Sequence, residues 1–297
     1  MKAFVRCACS ASLFPILLLS GCSYLVPSKR KLPVPKAPPI VQTVTPEQLV
    51  ARLNQRWDSM QALTATVEIY ATEFKTEQGE AKNYPSARAS IVIAKPELLR
   101  VRGTYFGVMI FDLASNGSHF TLEMPSKNLA ILGSNQSKGT SSSTWENLRP
   151  SSFFDAMVVR GVGPDEHYFV TSDTETVEDS AKKHLNLVPE YILNINRVNP
   201  NSRNETPIRV VTFHRDDLLP YLQDIYNSEG ELETQVSYQG YRNFNSIEYP
   251  STVTITSPLN GFKLVLIVES VHENMKLPAD EFQLQLPAGM KTRQLPR

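Results

Sequence analysis

Leu63-Thr64-Ala65-Thr66-Val67-Glu68-Ile69-Tyr70-Ala71-Thr72 alternates apolar and polar side chains without a break. A period of two marks a half-buried β-strand, since neighbouring side chains on an extended backbone point to opposite faces. Downstream the pattern returns between turn residues, predicting strands over 87–94, 98–104, 108–114, 119–124 and 128–132. Asn116-Gly117, between Phe111-Asp112-Leu113 and Phe120-Thr121-Leu122, is a favourable hairpin turn. After an interruption, strands resume over 168–171, 190–198, 208–215, 222–226, 231–240, 249–256 and 262–269. Leu232, Thr234, Val236 and Tyr238 alternate with Glu231, Glu233, Gln235 and Ser237 there. The run 262–268 is apolar on both faces, so cover on both sides is expected. The tail 280–287 reads as a short edge element ended by Pro287.

Immediately before the first strand, Thr45-Pro46-Glu47-Gln48 is a helix start. Thr45 can cap, Pro46 suits the first turn, and Gln48 can reach back to the cap. Leu49, Leu53, Trp57 and Met60 follow at helical spacing, predicting a helix over 46–60. Midway, 134–144 is rich in Ser and Gly and reads as a loop, and 150–158 as a short amphipathic helix. The fold class is therefore mainly β with helices (α+β). So many antiparallel strands should curl or close, because twisted open sheets rarely stay flat beyond ~10 strands. A helix against the concave side of such a sheet can enclose an apolar cavity.

The N-terminus carries a separate instruction. Met1, Lys2 and Arg6 precede an apolar run through Leu13, Phe14, Ile16, Leu17, Leu18 and Leu19, and then Ser20-Gly21-Cys22. This is an export signal over 1–21 ending in a lipobox, with Cys22 lipidated after cleavage. The run is shorter than the ~20 apolar residues a membrane-spanning helix needs. Residues 22–44 form a tether with Pro27, Pro33, Pro35, Pro38 and Pro39 and the cations Lys29, Arg30, Lys31 and Lys36. Polyproline II backbone at ~3.1 Å per residue gives such a tether a reach of about 70 Å. The remainder, 45–297, is expected to be one domain.

Composition narrows the chemistry. Hydrophobic residues make up 41% and charged residues 20% of the 297, with no net charge, so no basic field exists to hold nucleic acid. Of three cysteines, Cys7 and Cys9 lie in the signal and Cys22 would carry lipid, which excludes a disulfide or a cysteine nucleophile within the mature chain. The histidines at 119, 167, 184, 214 and 272 lack zinc-ligand spacing. His214-Arg215-Asp216-Asp217 reads as a solvated strand end, and Asp173, Glu175, Glu178 and Asp179 as a solvated, mobile face without the glycine of a calcium loop. No metal, no cofactor and no catalytic residue is expected. An apolar interior without a reaction centre points to binding rather than turnover.

The order of features resembles the LolA/LolB-like superfamily of bacterial lipoprotein carriers, including outer-membrane lipoprotein-sorting proteins. Lys95-Pro96-Glu97-Leu98-Leu99-Arg100 and the hairpin Asp112-Leu113-Ala114-Ser115-Asn116-Gly117 carry most of it, within a span of about 45–286. The resemblance implies an incomplete, strongly curved antiparallel β-barrel with a leading helix and a short helical lid. It implies acyl chains in a cavity lined by Leu53, Trp57, Val67, Ile69, Ile91, Phe262, Leu264 and Leu266. The lid would be 150–158, with Phe153, Phe154 and Met157 facing inward. A lipobox fits the anchored receptor of the family rather than its soluble carrier, and Ser23 after Cys22 permits outer-membrane sorting. The chain is longer than the family pattern, with insertions after Ser134 and around 173–183.

The sequence thus leads to a monomeric, non-enzymatic lipoprotein of the outer membrane, facing the periplasm. It would hold lipid or lipoprotein acyl chains and meet a periplasmic carrier protein. A structural lipoprotein whose core is filled by its own side chains, and a lipid hydrolase, are the competing readings. A continuous void under the leading helix would favour binding; a core filled by Trp57, Phe262 and Leu264 would favour the scaffold.

Overall fold

The computed structural model describes residues 35, 37, 40–75, 80–135, 149–179, 184–198 and 204–295. The expected export signal, Cys22, the cations of the expected tether, Trp145 and most of the expected loop at 134–144 lie outside the described residues. The first helix, α1 (Pro46–Ser59), starts as its sequence dictates. Thr45 Oγ1 accepts from Gln48 N at 3.3 Å, and Gln48 Oε1 accepts from Thr45 N at 2.9 Å, closing a capping box.

Among the described residues, fifteen strands then form one large, curved, unclosed sheet. In chain order they are β1 (Ala62–Lys75), β2 (Glu80–Asn83), β3 (Ala87–Ala94), β4 (Leu98–Tyr105), β5 (Val108–Asn116), β6 (His119–Met124), β7 (Leu129–Ser134), β8 (Glu166–Asp179), β9 (His184–Val198), β10 (Glu205–His214), β11 (Pro220–Tyr226), β12 (Leu232–Phe244), β13 (Ile247–Ser257), β14 (Phe262–Glu273) and β15 (Lys291–Gln294). The second helix, α2 (Pro150–Met157), lies between β7 and β8 in the chain. Across the sheet the order is β15-β7-β6-β5-β4-β3-β1-β14-β13-β12-β11-β10-β9-β8, with β2 pairing only with the far end of β1. Consecutive strands therefore pair in two meanders, joined where β1 meets β14. Ile69 lies opposite Leu266 there.

Register makes one continuous inner face. Leu193, Val211, Gln223, Val236, Ile255, Leu264 and Ala71 align in a row from β9 to β1. Because side chains alternate, that alignment gathers the apolar set of these seven strands on one side. One core cluster joins Val67, Ile91, Val101, Leu113, Val253 and Leu266 to Phe153, Phe154 and Met157 of α2. A second packs Leu49, Val50 and Leu53 of α1 against Tyr191, Leu193, Ile195, Val211 and Phe213. Both helices thus cover the inner face. None of the helices among the described residues is long and apolar enough to cross a membrane.

Three expectations need correction. The tail at 280–287 forms no strand; its terminal strand is β15, paired in parallel with β7. Phe282, Leu284 and Leu286 alternate because they are half-buried while Gln283 and Gln285 are exposed, which is one-sided burial without a ladder. The run 262–268 is covered on one face only: Phe262, Leu264, Leu266 and Val268 are buried, whereas Ile267 is 38% exposed. The acidic stretch 173–179, exposed over 173–178, belongs to β8 and is held by a full ladder to β9. With polar residues on both faces it shows no period, so the hairpin outruns the segments 168–171 and 190–198.

Candidate functional site: an apolar cavity beneath the first helix

A cavity of about 260 Å³ opens between α1, the end of α2 and the inner face of β10–β13. Leu49, Leu53, Trp57 and Met60 form its helical wall, and Met157, Val158 and Val159 follow from α2. Phe213, Leu218, Tyr238, Tyr241 and Tyr249 complete it from the sheet. Each of the three tyrosine hydroxyls takes part in a hydrogen bond. Tyr249 Oη donates to Met157 O at 2.6 Å, Tyr241 Oη donates to Pro220 O at 2.6 Å, and Tyr238 Oη accepts from Gln223 Nε2 at 3.3 Å. Burial, above all, pushes all three phenols up in pKa, so they stay neutral. The charged side chains of the lining, Arg52, Arg56, Glu248 and Glu273, sit where the cavity meets solvent.

Of the residues expected at a cavity, Leu53 and Trp57 line it, and so does Met157. The other six, Val67, Ile69, Ile91, Phe262, Leu264 and Leu266, are packed in the main core at 0–5% exposure. Their strands β3, β1 and β14 are neighbours, and all six belong to one packed core cluster. Phe153 is buried in the same cluster, and Phe154 touches Trp57 edge-on at 6.4 Å. Tyr238 stands on the alternating face read from the sequence, but Tyr241, three residues on and beyond Gly240, does not follow that alternation. Gly240 takes φ +64° between them.

A polar network fixes the far end of α2. Arg160 Nε meets Asp155 Oδ1 at 2.5 Å, and Arg209 Nη1 donates to Arg160 O at 2.6 Å. Arg209 Nη2 also donates to Gly161 O and to Glu166 Oε2, and Gln223 Nε2 donates to Asp155 O at 2.8 Å. Burial pushes the Asp155 carboxyl up, against the pull of Arg160. From α1, Asn54 exchanges two bonds with Val162, 2.7 Å to its N and 3.3 Å from its O. Both helices are therefore tied through the 158–163 segment.

Away from the cavity, the β4–β5 hairpin ends in an apolar tip. Phe106 is 90% exposed and Val108 68%, with Tyr105 and Met109 beside them. Phe106 and Gly107 take φ +46° and +79°, a left-handed turn that presents the Phe106 ring to solvent.

No profile of a known protein family and no curated protein sequence matches this chain. Solved structures do. A LolA superfamily protein from Nitrosomonas europaea superposes with a TM-score of 0.50 at 14% identity, covering 82% of this chain and 99% of that one. A DUF1329 family protein from Desulfovibrio piger gives 0.46 at 15%, covering 80% and 95%. A structure described as an outer membrane lipoprotein-sorting protein domain from Vibrio parahaemolyticus gives 0.46 at 11%, with the same coverage. The fold is LolA/LolB-like.

Proposed function

We propose that this chain is a lipid-anchored, non-enzymatic binding protein of the outer membrane, a half-barrel domain over 45–297 that holds lipid or acylated protein in the cavity under α1. The single observation that carries this reading is the apolar void between α1 and the sheet, lined by Leu53, Trp57 and Met157. A well-packed core leaves few voids larger than a water, so a continuous one beneath a helix favours a guest. A cavity of ~150 Å³ takes a benzene-sized guest. By that measure the void here holds about ten carbons of hydrocarbon. Each buried CH₂ contributes ~0.8 kcal/mol, enough for selective retention of one chain.

In this reading α2 is the lid and α1 closes the open side of the half-barrel. A larger acylated guest then requires the 158–163 segment to release its bonds to Asn54 and Arg209. The exposed Phe106 tip supports contact with a bilayer, and the lipobox at Cys22 supports residence there. The envelope setting, a periplasmic carrier as partner and a monomeric state belong to the same proposal. A scaffold with a side-chain-filled core is favoured by one observation, the tight packing of Phe262 and Leu264.

Native mass spectrometry of the full chain carrying Cys22→Ala, purified from membranes-containing lysate, separates the two. Co-purifying lipid or acylated peptide is the expected result. A bare protein mass that persists after incubation with bacterial membranes would leave only the scaffold.

A further inference from the structure

The mouth of the cavity carries two opposite charges that do not neutralise each other. Arg56 and Glu273 are paired at 2.6 Å, which removes both from the count. Arg52, one turn earlier on α1, lines the same cavity, and its side chain makes no hydrogen bond or ion pair with any described residue. Glu248, at the start of β13, lines it too, and its carboxylate likewise makes no hydrogen bond or ion pair with any described residue. Both are exposed, and they do not approach within ion-pair distance of one another. Behind them the wall is apolar, and its tyrosine hydroxyls are already engaged. The interior therefore asks for hydrocarbon alone, and the rim for one negative and one positive group.

On the reading that the cavity binds lipid, we infer that its preferred guest is a single-chain amphiphile with a zwitterionic headgroup. A phosphate would meet Arg52, an ammonium would meet Glu248, and about ten carbons of the chain would lie against Leu53, Trp57 and Met157. A guanidinium suits a phosphate because its planar donors match two oxygens at once. A purely anionic head satisfies Arg52 but lies beside Glu248, and an uncharged head uses neither. Volume argues the same way: the closed cavity admits one chain, not the several chains of a lipoprotein anchor.

Trp57 lines the cavity and reports occupancy by its fluorescence. The full chain with Cys22→Ala and Trp145→Phe leaves it as the only tryptophan. Three probes of equal chain length, each used below its micelle concentration, isolate the headgroup: lauroyl lysophosphatidylethanolamine, lauroyl lysophosphatidylglycerol and dodecyl maltoside. The expected affinity order is ethanolamine, then glycerol, then maltoside. Arg52→Gln should weaken both phospholipids about three- to fivefold, the range of a partly solvated ion pair, and leave the maltoside unchanged. Glu248→Gln should weaken the ethanolamine lipid by a similar factor and leave the glycerol lipid unchanged or tighter. Equal affinity for all three probes overturns the headgroup inference while the cavity reading stands. An ethanolamine lipid that gains from Glu248→Gln shows an anion site instead and also overturns it. If no probe perturbs Trp57, the binding reading itself falls.

Discussion

Glu123 and Asp112 lie opposite each other on β6 and β5, both on the outer face and both nearly buried, at 4% and 3% exposure. Arg100 compensates only one of them. Its Nε and Nη2 grip both Asp112 oxygens at 3.0 and 2.8 Å, and its Nη1 donates to the Glu281 carbonyl at 2.7 Å. Desolvation, then the Asp112 charge, pushes the Glu123 carboxyl up, with Arg100 pulling weakly the other way. A carboxyl whose folded pKa is raised stabilises the fold below its unfolded pKa, and that stability is lost as pH rises through the folded value. Glu123→Gln should therefore raise Tm at pH 7.5, by about 2 °C for a chain of this size, and the gain should vanish near pH 4. A gain that is equal at both pH values in calorimetry would show that charge is not the cause. These residues also explain the legibility of the sequence. Lys95-Pro96-Glu97-Leu98-Leu99-Arg100 was readable as a motif, and each of its charged groups has a structural task. Lys95 Nζ sits 3.9 Å over the Trp57 ring and donates to the Trp57 carbonyl, pinning the end of α1. Glu97 meets Arg160 at 3.2 Å beyond α2, and Arg100 ties the tail to the outer face. What the motif could not reveal was which distant partner each charge meets, since Arg100 and Glu281 are 181 residues apart.

At the level of elements, α1, α2 and the hairpin-forming strands were legible because each repeats a period that its burial enforces. Elements lacking such burial were not. All four residues of β2 and of β15 are exposed, so neither leaves a pattern in the sequence. The β4–β5 hairpin is read as two strands with a break at 105–107, yet the sequence does not show that Phe106 and Val108 face solvent there. Only the turn at Gly107 turns those side chains outward. Burying a Phe or Val side chain contributes about 1.5–3 kcal/mol each, so a tip that enters an acyl layer adds measurable membrane affinity. Phe106→Ser with Val108→Ser should lower co-sedimentation of the Cys22→Ala chain with phosphatidylethanolamine–phosphatidylglycerol vesicles by about tenfold or more. Melting temperature should change little, since neither side chain packs in the core. Unchanged sedimentation would assign the tip to some surface other than lipid.

For the whole molecule, the two proposed attachments differ in strength, and this decides how the proposed anchor can be tested. An apolar hairpin tip gives weak, reversible contact, and even one fatty chain on a protein gives only marginal membrane binding; stable residence takes two signals. A lipobox cysteine would supply more than one chain, and Lys29, Arg30, Lys31 and Lys36 would add attraction to anionic headgroups that salt screens. Removing the cysteine should therefore abolish residence even though the tip and the basic tether persist. In cells, Cys22→Ala should move the protein from the membrane pellet to the soluble envelope fraction, and a wash at about 1 M salt, where the Debye length is ~3 Å, should release any remainder. The Phe106→Ser, Val108→Ser chain with Cys22 intact should stay in the pellet through the same wash. If Cys22→Ala survives the wash in the pellet, the lipobox reading fails and the membrane affinity must come from the folded domain. If both chains leave, the tip is a true second signal, and acylation at Cys22 is insufficient by itself.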